Sequence, residues 1–148
     1  MTQHLLDPAA EHTLLLVKPD GYARGLTGEI LRRIEAKGYV LKGLKIMVAP
    51  RELLEEHYAE HKDKPFFNGL VEFMGSGPLV AVIVEGRRVI EGMRVLMGST
   101  DPTTAPAGTI RGDLGRAWDT PYMENIVHGS DSPASAEREI SLWFPEID

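Results

Sequence analysis

The sequence predicts a single α/β or α+β domain of two packed layers. Three observations carry that expectation. Apolar runs of strand length alternate with segments of helical period, in the order strand, helix, strand, helices, strand, helix, long loop, strand, helix. Leu79 to Val84 is apolar throughout, the mark of a strand buried on both faces. A length of 148 residues, 43% hydrophobic and 26% charged, matches one domain with its own core.

Residues 1–12 are polar, contain Pro8 and read as a flexible leader ahead of one domain over 13–148. Leu14-Leu15-Leu16-Val17 is a buried strand that runs into a turn at Pro19-Asp20-Gly21. Ile30, Leu31 and Ile34 recur at helical spacing, with Thr27 as N-cap and Gly38 as the stop. From Val40 to Val48 the aliphatics Leu44, Ile46 and Val48 alternate with Lys45 and Met47, as in a strand. Pro50 opens a helical stretch through His61, and a further helix carries Phe67, Leu70, Val71 and Met74 until Gly75-Ser76-Gly77-Pro78 breaks it. Helical character returns from Val89 to Met97. Residues 98–123 are rich in glycine, proline and threonine and read as one long functional loop. Asn125-Ile126-Val127 is a short strand, and Ser132-Pro133 caps a last helix through Trp143. A four-stranded sheet with helices on one face, the ferredoxin-like arrangement, is compatible with this order, although pattern alone leaves the strand order open.

The net charge of −6 weighs against non-specific nucleic-acid binding but allows a local cationic pocket for a small anion. The absence of cysteine removes disulfides, thiolate chemistry and cysteine-held zinc, and fits a reducing compartment. No secretory signal opens the sequence and no apolar run reaches membrane length, so a soluble cytoplasmic protein is expected.

Five groups of residues could carry chemistry. His128 follows an apolar strand and precedes Gly129, which leaves room beside the imidazole, and Ser130, Asp131 and Ser132, which could fix the ring. Glu139, on the next helix, could hold one ring nitrogen and free the other as a nucleophile. Arg111, flanked by Gly108 and Gly112 in a loop, could present its fork to phosphate. Lys18 stands at a strand end, where ligands commonly bind, although no Walker pattern is present. Arg94 could share a pocket with Thr100, and Phe66 could stack on a base, with Tyr58 and His61 nearby. Taken singly, each of these residues has a plainer reading as core or solvated surface.

Together the segments resemble the nucleoside diphosphate kinase family. TLLLVKPDG (13–21), RGLTGE (24–29), His57-Tyr58, Pro65-Phe66-Phe67, GTIRGD (108–113) and NIVHGSDS (125–132) look like that family's signatures, in its order, across residues 13–145. The resemblance implies a ferredoxin-like sandwich, a four-stranded antiparallel sheet flanked by helices, in a homotetramer or homohexamer. It implies transfer of the γ-phosphate of a nucleoside triphosphate, mainly ATP, to a nucleoside diphosphate through a phosphohistidine on His128. Glu139 and Ser130 would orient that imidazole and Tyr58 would support the site. Lys18 and Asn125 would hold the ribose and its 3′-hydroxyl region. Arg94, Thr100 and Arg111 would bind phosphates, with His61 a candidate additional contact. Phe66 would stack on the base and Leu70 would line the same cleft. Mg²⁺ would arrive with the nucleotide phosphates. Two departures stand out: Ala107 replaces the proline common before GTIRG, and Leu114 to Glu124 is longer than in many members. The rival readings are a nucleotide-binding protein without catalysis, a nucleic-acid binder, and a histidine phosphatase, which would need an arginine-histidine-glycine start absent here.

Overall fold

The computed structural model describes residues 6–120 and 124–147. Four strands, β1 (His12–Val17), β2 (Val40–Met47), β3 (Leu79–Glu85) and β4 (Val127–Gly129), form one antiparallel sheet in the order β2-β3-β1-β4. That order is the ferredoxin-like one. The helices are α1 (Pro19–Ala23), α2 (Thr27–Ala36), α3 (Arg51–His57), α4 (Phe67–Met74), α5 (Val89–Met97), α6 (Ile110–Leu114) and α7 (Pro133–Trp143), with a 3₁₀ turn at Ala59–His61.

Alternation along β1 divides the core in two. Leu14 and Leu16 pack with Ala81, Ile83 and residues of α3, α4 and α7, including Leu54, Leu70 and Trp143. Leu15 and Val17 pack with Val80, Val82, Val84 and residues of α2 and α5, including Ile30, Ile34 and Met93. Helices therefore cover both faces of the sheet, not one. The uninterrupted apolar character of β3 requires this, because every residue from Leu79 to Val84 is buried.

Several expected elements differ in detail. Leu26, not Thr27, is the N-cap of α2, because Ile30 N–H already donates to Leu26 O; Thr27 becomes the first helical residue. Pro19-Asp20-Gly21 is not a simple turn but the start of α1, with extended Lys18 as N-cap and proline at the first position. The helical stretch after Pro50 ends at His57, and the 3₁₀ turn follows Tyr58. Inside the expected loop over 98–123 lies α6, capped by Thr109 Oγ1, which accepts from Gly112 N–H at 3.0 Å. The last strand begins at Val127, not Asn125, because the backbone turns at Ile126. The caps Ser132-Pro133 and the stop at Gly38 (φ 103°) are as expected. Of the leader, residues 1–5 lie outside the described residues; Glu11 Oε1 accepts from Ile90 N–H and His12 opens β1. Of the segment Leu114 to Glu124, residues 121–123 also lie outside them.

The alternation in β2 is real, but its aliphatic side is the exposed one. Val40, Leu44, Ile46 and Val48 are 50%, 53%, 61% and 58% exposed. Lys45, on the other side, lies over the Phe144 ring and pairs with Glu146.

Candidate active site

A cavity of about 310 Å³ opens beside β4. Its walls hold Lys18 from the end of β1, Tyr58 and His61 after α3, Leu70 of α4, and Arg94 of α5. Thr100, Arg111 of α6, Asn125, His128 of β4 and Glu139 of α7 complete it. The structure thus brings ten of the twelve expected site residues around one space. Ser130 sits behind the wall and Phe66 stands beyond it, its ring 5.7 Å from that of His61. A wider depression of about 1030 Å³ adjoins the cavity across Arg94 and Asp131, but His128, Lys18 and Arg111 face only the smaller one.

His128 Nε2 lies 3.1 Å from Glu139 Oε1. A carboxylate accepts and cannot donate, so Nε2 carries the hydrogen and Nδ1 keeps its lone pair. Glu139 is itself fixed: Ser130 Oγ donates to Oε1 at 2.8 Å, while that hydroxyl accepts from Leu14 N–H of β1. Burial would raise the Glu139 carboxyl, but the hydrogen bonds from His128 and Ser130 help hold it below its ordinary range. Tyr58 is buried beside this group and remains a phenol, its pKa raised by burial and by Glu139.

His57 belongs to the site but was not singled out from sequence. It is buried, and its ring meets the His128 ring edge-on at 4.8 Å. Trp143 Nε1 donates to His57 Nδ1 at 3.0 Å, and burial pushes the imidazole down to about 3, so it stays neutral. The only sequence signal was its place beside Tyr58, which equally suits a core position.

The cationic wall is held from behind. Arg111 donates to three backbone carbonyls: Val127 at 2.7 Å, Gly98 at 2.9 Å and Asn125 at 3.4 Å. Burial and then Arg94 push it down to about 10, still charged at neutral pH. Lys18 Nζ donates to Asn125 Oδ1 at 2.7 Å, and Asn125 Nδ2 donates to Thr100 O at 2.9 Å. Thr100 thus enters this network through its carbonyl. Gly129 lines the cavity next to His128, and a Cβ there would stand 2.5 Å from Met97 Cε, the flexible end of that side chain.

Burial, then Arg111, lowers the Lys18 ammonium from 10.5 to about 7, against the attraction of Asp20. Between these values the unfolded chain holds the extra proton, so this lysine makes the empty protein more stable as pH rises across that window. An anion in the cavity favours the charged form. Binding of an anionic polyphosphate at pH 8.5 is therefore expected to draw in about one proton. Calorimetry in buffers of different ionisation enthalpy measures this uptake. The Lys18→Arg variant should show none, since guanidinium is already charged, and equal uptake in that variant would place the proton elsewhere.

The cluster of His57, His128 and Glu139 is the one set of three metal-capable side chains found among the described residues. It does not suit Mg²⁺, which prefers oxygen ligands: two members are imidazoles, and Glu139 is engaged with His128 and Ser130.

The nucleoside diphosphate kinase family model matches residues 11–148. The chain is 58% identical over 138 residues to a nucleoside diphosphate kinase of Corynebacterium diphtheriae, covering 93% of this chain and 98% of that one. It is 57% identical over 134 residues to one from Thermosynechococcus vestitus, covering 90% and 87% respectively. Among solved structures, the nucleoside diphosphate kinase of Halobacterium salinarum in complex with CDP superposes with a TM-score of 0.86 at 49% identity, covering 91% of this chain and 88% of that one.

Proposed function

The chain belongs to the nucleoside diphosphate kinase family, and from that premise we propose that His128 is the residue that carries the phosphoryl group in transit. The reaction moves the terminal phosphate of a nucleoside triphosphate to a nucleoside diphosphate. The observation that carries the assignment is the His128–Glu139 contact at 3.1 Å in a cavity walled by Lys18, Arg94 and Arg111. Nδ1 attacks the γ-phosphorus, the bond to the β–γ bridging oxygen breaks, and the diphosphate leaves with that electron pair. An acceptor's β-phosphate oxygen then attacks the phosphohistidine and the N–P bond breaks. The two half-reactions mirror each other, so one site serves both.

Arg94, Arg111 and Thr100 hold the phosphates in line and stabilise charge that spreads over the transferring group. Lys18 and Asn125 hold the ribose and its 3′-hydroxyl, and His61 adds a phosphate contact. Glu139 and Ser130 keep the imidazole in its attacking tautomer, and Tyr58 packs against the site. Phe66 and Leu70 receive the base. A Mg²⁺ ion carried on the nucleotide's phosphates would supply positive charge beside Arg94 and Arg111. With ATP and GDP varied together, initial rates should give parallel double-reciprocal lines, as a ping-pong mechanism requires. Intersecting lines would sink it. A base gripped by stacking alone should be poorly discriminated; a strong preference for one base in competition would contradict this.

Among the described residues no helix is long and apolar enough to cross a membrane. A cytoplasmic location fits the cysteine-free sequence and can be checked by cell fractionation. The exposed aliphatic stripe on β2, an edge strand, fits a homo-oligomer. Sedimentation should give a tetramer or hexamer; a monomer at micromolar concentration would refute that.

A further inference from the structure

A regular strand turns successive side chains to opposite faces, so residues three apart look away from each other. Asn125 and His128 are three apart, yet both line the cavity. The parity changes at Ile126. Its φ of 63° lies in the left-handed region, and Val127 N–H donates to Asn125 O at 2.8 Å, closing a three-residue γ-turn around it. The positive-φ form of that turn is rare and strained, and a β-branched residue is among the least suited to it. Something must hold it there.

Three groups from the segment after β1 do so. Lys18 N–H donates to Ile126 O at 2.8 Å. Asp20 Oδ2 accepts from Ile126 N–H at 3.1 Å. Gly21 presses close: a Cβ on it would stand 3.0 Å from Ile126 O and 3.3 Å from Ile126 Cβ. Asp20 is a costly choice for this task. Its Oδ1 is buried with no hydrogen-bond partner, and burial raises the carboxyl against the Lys18 charge and the backbone hydrogen bonds of Ile126 and Gly21.

We propose that Asp20 is a positioning residue, whose carboxylate pins the strained turn at Ile126 and so sets Asn125 and His128 on one wall of the cavity. The proposal rests on the reading of His128 as the phosphoryl carrier. It assigns the PDG of residues 19–21 a part in aiming the nucleophile, without any contact between Asp20 and substrate.

The test is the single-turnover rate of protein labelling by γ-labelled ATP at saturation, where weaker binding is masked, for wild type, Asp20→Ala and Asp20→Asn. Asp20→Ala should be slower on the order of 10²-fold, as misaimed reactants are. Asp20→Asn should recover most of the loss, because its amide oxygen accepts the same hydrogen bond. Glycine adopts positive φ without strain, so Ile126→Gly should make the rate insensitive to Asp20: Ile126→Gly with and without Asp20→Ala should label alike. That pair decides the matter if Asp20→Ala alone does not fold. A wild-type rate in folded Asp20→Ala, an Asn variant as slow as Ala, or a further loss on removing Asp20 from Ile126→Gly would overturn the proposal. Absence of label from the wild type would instead refute His128 as carrier.

Discussion

Replacing His128 with alanine is expected to abolish turnover, a loss of at least about 10⁴-fold, while ADP still binds. The two halves of this expectation have separate causes. On the proposed reading, binding rests on Lys18, Arg94, Arg111 and Asn125, and the hydrogen bonds of Lys18, Arg111 and Asn125 run to one another and to backbone, not to the imidazole. Transfer rests on a nucleophile whose second nitrogen is already held by Glu139. His57, the nearest imidazole, cannot substitute. Its Nδ1 accepts from Trp143, and burial keeps it from gaining a proton above a pH of about 3. Steady-state rates with ATP and GDP, set beside ADP binding by calorimetry, separate the two. Retained turnover in His128→Ala would end the assignment; loss of both activity and binding would show that the residue is structural.

Arg111→Ala should slow the reaction by about 10²- to 10³-fold, as loss of one charge-stabilising donor does in a pre-organised site. It should also destabilise the protein by about 3 kcal/mol, because hydrogen bonds from a charged donor to buried acceptors are lost. The second effect follows from its three carbonyl partners, on Gly98, Asn125 and Val127, which tie the loop after α5 to the approach of β4. Arg94 is the contrast. It is exposed on α5, so Arg94→Ala should lower kcat/KM with little change in melting temperature. Lysine at 111 should not restore either property, since one ammonium cannot reproduce the planar fork. Thermal unfolding and kinetics on the same three variants measure both effects. Equal stability of the two alanine variants would contradict the structural part of the account.

Much of this was legible in the sequence where a residue's role depends on its neighbours in the chain. The apolar runs of β1 and β3, the period of α2 and the Ser132-Pro133 cap depend on such neighbours, and all stand. What failed depends on distant contacts. Alternation in β2 marks two faces but cannot say which is covered; that is decided by its place at the sheet edge. The start of β4 moved because Ile126 is bent by Asp20 and Lys18, more than a hundred residues earlier. The helix α6 had a local signal, Thr109 followed by Asp113, whose carboxylate takes Gly108 N–H at 2.9 Å; the surrounding glycine and proline obscured it. In the site, His128 and Glu139 could be paired from sequence because one turn joins their elements. The parts played by His57 and Asp20 exist only once Trp143 and Ile126 are brought to them.

The most direct test is chemical. Protein mixed with Mg²⁺ and γ-labelled ATP should acquire a phosphate that is labile in acid, stable in alkali, located on His128, and discharged when GDP is added. A protein that binds nucleotide but never takes up label, or takes up a label that GDP does not remove, would contradict the account at its centre.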